Sequence, residues 1–192
     1  MSEIVVQKFG GTSVGTVDRI DSVAEIIKNA SKSNQIVVVV SAMGGETNRL
    51  VDLAKAFGDD PDKREFDALV STGETVSSAL LTMALHSKGI KAKSFSASQI
   101  SMRTTSSYSK AKILDVDAKK ILDVIDSDTI PIITGFQGVT EGGDVTTLGR
   151  GGSDTTAVAI AAQIDAVRCD IYTDVDGILS LIHISEPTRR TP

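Results

Sequence analysis

The chain has 192 residues and a formal net charge of −5, with 25 acidic and 20 basic side chains. This length is enough for one α/β domain with a sizeable core, and the acidic balance argues against binding to nucleic acid or to an anionic membrane. The single cysteine, Cys169, excludes an internal disulfide framework, so we expect a protein of a reducing compartment, the cytoplasm. The sequence shows no signal peptide and no apolar run of membrane-spanning length.

Short apolar strands alternate along the chain with stretches of helical periodicity. Strands are predicted at 4–6, 36–40, 92–95, 112–115, 130–134 and 167–172. Helices are predicted at 17–30, 50–57, 76–86, 118–125 and 153–162, with a further helix start at Asp60-Pro61 and a mobile polar loop at 101–109. This alternation predicts one mostly parallel sheet covered by helices on both faces, a three-layer α/β/α sandwich with its ligands at the carboxyl ends of the strands.

The first predicted strand leads directly into the segment KFGGTSVG, residues 8–15. Glycines let a backbone approach an anion and point its N–H groups at it, and the lysine adds a positive charge for a phosphate oxygen. Lys8, with the N–H groups of Gly10 and Gly11, is therefore a candidate phosphate site. The alternative is a tight strand-to-helix turn with a solvated lysine. The segment is not a P-loop, because Thr16 stands where that motif has its lysine.

Four further segments carry the same kind of polar, glycine-containing sequence: SAMGGETN (41–48), STGETVS (71–77), TTLGRGGSDTTA (146–157) and YTDVDGI (172–178). Together with KFGGTS, they resemble the aspartate kinases of the amino-acid kinase family in their order and spacing. The resemblance implies the amino-acid kinase (carbamate kinase-like) fold. It also implies transfer of the γ-phosphoryl group of ATP, with Mg²⁺, to the side-chain carboxylate of L-aspartate. The product would be 4-phospho-L-aspartate, in the first step of lysine, threonine and methionine biosynthesis.

The resemblance assigns roles to residues on the phosphate side of the site. It implies ATP contacts at Lys8, Phe9, Gly10, Gly11, Thr173 and Asp174. It treats Lys8 and Asp154 as catalytic, with Asp154 orienting the lysine rather than removing a proton, because the substrate carboxylate is already ionised at neutral pH. An aspartate at this point of the sequence is otherwise a helix N-cap. Magnesium is expected to bridge the ATP phosphates, with no metal site made of protein side chains alone.

The resemblance also implies substrate contacts at Ser41, Thr47, Glu74, Arg150 and Ser153. The chemistry of two of these suits L-aspartate: the Glu74 carboxylate can hold the ammonium group, and the Arg150 guanidinium can grip a carboxylate with two hydrogen bonds. Structural alternatives remain for three of them. Thr47 could cap a helix that begins near Asn48, Glu74 could be a first-turn helix glutamate, and Arg150 could be an exposed loop arginine.

The segment LSLIHISEPTR, residues 179–189, resembles the in-frame translation of an adapter used in sequencing libraries. We therefore expect residues 1–178 to be a catalytic domain that is incomplete on its nucleotide side, and residues 179–192 to be a non-native tail. The full-length parent is expected to be a homo-oligomer. Two alternatives stay open: a sibling kinase acting on acetylglutamate, glutamate or UMP, and a non-catalytic fragment that binds aspartate. The pattern of Glu74, Arg150 and Ser153 argues against the sibling kinases.

Overall fold

The computed structural model describes residues 3–173 and 178–182 of the chain. Its helices and strands, in chain order, are β1 (Ile4–Phe9), α1 (Val17–Ala30), β2 (Gln35–Val40), α2 (Glu46–Lys55), α3 (Lys63–Val70), α4 (Thr72–Ser87), β3 (Ala92–Phe95), β4 (Arg103–Thr104), β5 (Ile113–Asp115), α5 (Ala118–Asp126), β6 (Ile130–Thr134), β7 (Gln137–Val139), β8 (Val145–Thr147), α6 (Gly152–Gln163), β9 (Arg168–Tyr172) and β10 (Ile178–Ile182). The predicted alternation of strands and helices holds for the main elements, but α2, α3 and α4 follow one another and short strands follow β3 and β6.

The main sheet has six strands in the order β10-β9-β1-β2-β6-β3. Neighbouring strands are parallel except for β10, which pairs antiparallel with β9. Phe9, Val40 and Tyr172 share one level of the register, so β1, β2 and β9 end side by side. The segments that follow these strands therefore meet at one edge of the sheet, as the sequence predicts.

Helices cover both faces of the main sheet because side chains along each central strand point to the two faces in turn. On β2, Val37 packs in a core that includes Ile160 of α6 and residues of α5. Its neighbour Val38 packs in a second core with Leu81 of α4 and residues of α1. The predicted three-layer sandwich is confirmed.

A second, smaller sheet is not predicted from the sequence, although its strand β5 (Ile113–Asp115) falls within the strand predicted at 112–115. Its strands run in the order β5-β4-β7-β8, and each has only two or three residues. Because β4 lies inside the segment 101–109, the prediction of a loop is wrong there. The three strands other than β5 are too short to show a periodicity, and they depend on pairing and on buried contacts such as the 2.6 Å hydrogen bond between the hydroxyls of Thr104 and Thr146.

The helices beside the site begin at other residues than predicted. α3 begins at Lys63 rather than at Asp60-Pro61, because the Asp62 carboxylate caps it by accepting the Glu65 N–H at 3.1 Å. α4 begins at Thr72, before the predicted residue 76. Within the described residues, the stretch 63–87 is long and apolar enough to span a membrane by length and composition. Half of its most apolar window is buried inside the fold, as in the core helix of a globular protein.

Candidate active site

A cavity of about 680 Å³ opens at the carboxyl edge of the main sheet. Its walls include the loops after β1 and β2, the first turns of α4 and α6, and the residue after β9. The predicted site residues that line it are Lys8, Gly10, Gly11, Ser41, Thr47, Glu74, Arg150, Ser153, Asp154 and Thr173. The structure thus brings together residues from five separate segments of the sequence. Asp174, another predicted ATP contact, lies outside the described residues.

Phe9 does not line this cavity. Its side chain is fully buried in the core and stacks on Tyr172, with the two ring centroids 4.5 Å apart. Its carbonyl accepts the Ser41 N–H at 3.1 Å. Alternation along β1 points Lys8 toward the cavity and the next side chain toward the core. The Phe9 ring is therefore part of the core, and the predicted ATP contact at this residue stays a prediction.

Lys8 and Asp154 form an ion pair in the wall of the cavity. Nζ of Lys8 lies 2.7 Å from Oδ1 of Asp154, and the lysine is only 7% exposed. Asp154 is not the N-cap of α6, because the helix begins at Gly152 and its cap is Gly151. It lies instead in the first turn, where its carboxylate meets the end of β1. This contact is what an orienting role for Asp154 requires, and the role itself stays a prediction.

Backbone N–H groups beside this ion pair are available to an anion. Those of Gly11 and Ser153 have no acceptor among the described residues. The N–H of Gly10 is not available in this way, since it donates to the Tyr172 carbonyl at 3.1 Å. Gly11 approaches the loop after β2 so closely that a Cβ would lie 2.9 Å from the Ala42 carbonyl oxygen. The positive end of α6 adds to an environment that favours negative charge.

Glu74 is a buried carboxylate in the first turn of α4. It is 3% exposed; its Oε1 accepts the Ala42 N–H at 3.1 Å, whereas its Oε2 has no hydrogen-bond partner among the described residues. Burial raises the pKa of this carboxyl from 4.5 to about 7, and its backbone hydrogen bonds oppose the rise. A cation in the cavity would give Oε2 a partner and favour the ionised form.

The side chains of Arg150, Ser41 and Ser153, three more of the predicted substrate residues, are free to bind a ligand. Arg150 is exposed and makes no hydrogen bond or ion pair with any described residue. The hydroxyls of Ser41 and Ser153 likewise have no partner in the part of the chain that the structure describes. Thr47 lies within the first turn of α2, which begins at Glu46, so it does not cap a helix starting at residue 48.

One wall of the cavity escaped the sequence reasoning. It contains the polar residues Ser109 and Thr147, the Phe136 ring and the apolar side chains of Phe66 and Val70. Thr147 belongs to the TTLGRGGSDTTA segment, but nothing in the sequence marks the segment around Ser109 as part of a site. Ser109 and Phe136 both adopt positive φ, 64° and 66°, a conformation that residues with side chains rarely take.

A parallel sheet with a lysine–aspartate pair, free N–H groups and a helix N-terminus at its carboxyl edge is typical of α/β proteins whose site suits a phosphate group. The chain belongs to the amino acid kinase family, whose model matches residues 3–182. The predicted family and fold are thereby confirmed.

The chain is similar to curated aspartate kinases over most of its length. It is 55% identical over 176 residues to an aspartate kinase of Stutzerimonas stutzeri, and 54% identical over 178 residues to an aspartokinase of Geobacillus stearothermophilus. These matches cover 91% and 92% of this chain but only 43% and 44% of the relatives, so the chain spans less than half of their length. Among solved structures, aspartokinase III of E. coli in complex with aspartate and ADP matches with a TM-score of 0.83 at 30% identity, over 91% of this chain and 50% of that one.

Proposed function

We propose that this chain carries the amino-acid site and the phosphate site of an aspartate kinase, which transfers the γ-phosphoryl group of ATP to the side-chain carboxylate of L-aspartate. The observation that carries the proposal is the unpartnered Oε2 of Glu74, which shares one cavity with the free guanidinium of Arg150 and with Lys8. L-Aspartate offers one cation and two anions, which are the complementary charges. The names of the relatives, and the aspartate and ADP in the E. coli structure, support the same choice.

In the proposed complex, the substrate ammonium group binds Glu74 and is the missing partner of Oε2. The Arg150 guanidinium, with the Ser153 hydroxyl, holds the α-carboxylate, and Ser41 and Thr47 supply further hydroxyls to the amino acid. These contacts leave the side-chain carboxylate directed toward Lys8. Holding the two reactants in this orientation is the main contribution that a protein makes to phosphoryl transfer.

In the reaction itself, an oxygen of the substrate side-chain carboxylate attacks the γ-phosphorus while the bond from that phosphorus to the ADP oxygen breaks. No proton has to be removed, because the attacking carboxylate is already ionised. Lys8 stabilises the charge on the transferring group, and the Gly11 N–H adds a donor that needs no reorganisation. Asp154 holds the lysine at the cavity wall through their 2.7 Å contact.

The nucleotide is proposed to bind along Lys8, Gly11 and Thr173. The Oγ1 of Thr173 is buried and has no partner among the described residues, so it is available to the nucleotide. Magnesium is proposed to arrive on the ATP phosphates and to neutralise part of their charge. Within residues 3–173 and 178–182, no three His, Cys, Asp or Glu side chains converge in a way that could hold a metal ion. A contact from Asp174, the cytoplasmic location and a homo-oligomeric full-length protein stay predictions.

The test is a calorimetric titration of the chain with a panel of matched ligands. L-Aspartate should bind, and succinate, which keeps both carboxylates and lacks only the amino group, should bind far more weakly. N-Acetylglutamate, glutamate and UMP represent the sibling kinases, and better binding of any of them than of L-aspartate would contradict the proposal. To exclude a non-catalytic aspartate-binding protein, ADP formation is followed in a full-length protein, meaning this segment within a chain of the relatives' length.

A further inference from the structure

Asp67 is a fully buried carboxylate that none of the roles above uses. It lies in α3 and is 0% exposed, whereas the charged residues just before it in the helix, 63–65, are exposed. A carboxylate is costly to place in a protein interior unless its oxygens accept hydrogen bonds. The groups that donate to Asp67 therefore indicate what this side chain holds in place.

Only two residues donate hydrogen bonds to the side-chain carboxylate of Asp67 among those the structure describes, and both line the cavity. Ser109 donates its N–H to Oδ1 and Oδ2 at 3.0 and 2.8 Å, and its hydroxyl to Oδ1 at 3.0 Å. Thr147 donates its N–H to Oδ2 at 2.8 Å and its hydroxyl to Oδ1 at 2.9 Å. One carboxylate thus fixes both the backbone and the side chain of two residues from separate segments.

Ser109 connects this network to the loop that carries Arg150. With a φ of 64°, Ser109 is in the left-handed region, which costs free energy that the hydrogen bonds to Asp67 offset. In this conformation its carbonyl lies against Gly149, where a Cβ would be 3.3 Å from the Ser109 oxygen. Gly149 directly precedes Arg150. A hydrogen bond of 2.9 Å from the Ala111 N–H to the Thr147 carbonyl joins the same two segments again.

We propose that Asp67 is a positioning residue for the amino-acid end of the cavity, which holds Ser109 and Thr147 in place and through them the loop of Arg150. The inference rests on the proposed function, in which Arg150 binds a substrate carboxylate. Without Asp67, Ser109 leaves its strained conformation and the loop loses its support, so amino-acid binding weakens. Lys8 lies at the end of β1 beside α6 and has no hydrogen bond to Asp67. The loss of Asp67 should therefore affect phosphoryl transfer less than amino-acid binding.

The test compares Asp67→Ala with Asp67→Asn by calorimetric titration of the chain with L-aspartate. Alanine removes every acceptor, and we expect the Kd to rise about tenfold or more. Asparagine can keep its oxygen at the Oδ2 position for the two backbone N–H groups. Its NH₂ group then faces the hydroxyls of Ser109 and Thr147, which can turn and accept. We therefore expect Asp67→Asn to rescue binding to within about threefold of the wild-type Kd.

Thr147→Val shows whether the hydroxyl contacts transmit this effect. Valine keeps the shape of threonine but lacks the hydroxyl that accepts a hydrogen bond from the NH₂ group of Asp67→Asn. The double variant of Asp67→Asn and Thr147→Val should therefore lose the rescue of binding. The matched control is Thr146→Val, the next residue of β8, whose equally buried hydroxyl contacts Thr104 and does not line the cavity. It should lower the thermal midpoint while leaving the Kd within about twofold.

In the full-length protein, Asp67→Ala should raise the KM for aspartate with little change in kcat or in the KM for ATP. A folded Asp67→Ala with wild-type Kd would overturn the proposal, and so would equal weakening by Thr146→Val. If Asp67→Ala does not fold, wild-type affinity in the double variant of Asp67→Asn and Thr147→Val overturns it.

A wild-type chain that does not bind L-aspartate refutes the proposed function and not the positioning network. In that case, hydrogen exchange at the amides of Ser109 and Thr147 carries the test, because it needs no ligand. Faster exchange at both amides in Asp67→Ala, or in the double variant of Asp67→Asn and Thr147→Val if the alanine variant does not fold, but not in Thr146→Val, supports the positioning role. Unchanged exchange at both amides overturns it.

Discussion

Replacing Glu74 with glutamine tests whether its buried carboxyl is tuned for a cationic ligand. In the empty cavity its pKa is about 7, against 4.5 for an unburied glutamate. Between these two pH values the folded protein holds a proton that the unfolded chain has released, so stability falls as the pH rises through this window. At about 1.4 kcal/mol per pH unit, ionised Glu74 costs the empty protein about 3 kcal/mol above pH 7.

Glu74→Gln keeps the shape and the acceptor for the Ala42 N–H but never ionises. Relative to wild type, the variant should therefore gain about 3 kcal/mol of unfolding free energy between about pH 5 and about pH 8, most of it before pH 7. Urea denaturation of the ligand-free chain across this range measures the gain. Glu141→Gln, on an exposed turn, is the control and should show no such pH dependence.

The same carboxyl predicts how aspartate binding depends on pH. The substrate ammonium group needs the ionised form, which makes up about nine-tenths of the empty protein at pH 8 and about one-tenth at pH 6. The affinity of the wild type for L-aspartate should thus fall about tenfold from pH 8 to pH 6. Glu74→Gln should bind L-aspartate weakly, with an affinity that does not change in this way with pH. Equal slopes in the two proteins, measured by calorimetry, would refute the assignment of the ammonium group to Glu74.

Three further substitutions test the other parts of the site. Lys8→Ala in the full-length protein should lower kcat by about a hundredfold or more, with little change in the KM for aspartate. The control is Lys119→Ala, which removes an exposed ion pair of α5 and should leave the rate of ADP formation unchanged. A change confined to the aspartate KM would reassign Lys8 to the substrate site. Arg150→Lys should raise the KM for aspartate about tenfold, because an ammonium group cannot form the bidentate hydrogen bond of a guanidinium to a carboxylate. The control is Arg103→Lys, at an exposed ion pair, which should leave this KM unchanged. Gly11→Ala should weaken ATP binding in an equilibrium titration, because the added Cβ would lie 2.9 Å from the Ala42 carbonyl oxygen and displace the loop of Gly11. Unchanged ATP binding would show that the loop accommodates the methyl group.

Elements with a strong local pattern were predictable. The run 36–40 is wholly β-branched, and the structure buries all of these side chains on the two faces of the sheet. The glycine-rich segments after the strands marked the edge at which the cavity opens. Both features depend on neighbours in the sequence, so periodicity and motif position were sufficient to predict them.

The network of Asp67 was not predictable, because its meaning lies in contacts between distant segments. An aspartate inside a short helix suggests a solvated face, and Ser109 lies in a segment that predicts a loop. Only the second sheet brings β8 against α3, and its strands are too short to show a period. The position of the Phe9 ring was predictable only from the strand, because alternation along β1 places this ring in the core.

The contact between Lys8 and Asp154 lies between these two cases and shows how topology builds the site. Crossovers between parallel strands are right-handed, so the face that a helix covers depends on the direction in which the chain moves along the sheet. α1 carries the chain from β1 to β2, and α6 carries it back across β1 to β9, so the two helices cover opposite faces. Val6 and Lys8 point to the α6 face, because Val6 packs in the core that includes Ile160. At the end of β1 the lysine therefore meets the first turn of α6, where Asp154 lies. The alternation and the helix start are local features of the sequence, whereas the strand order that makes them meet is not.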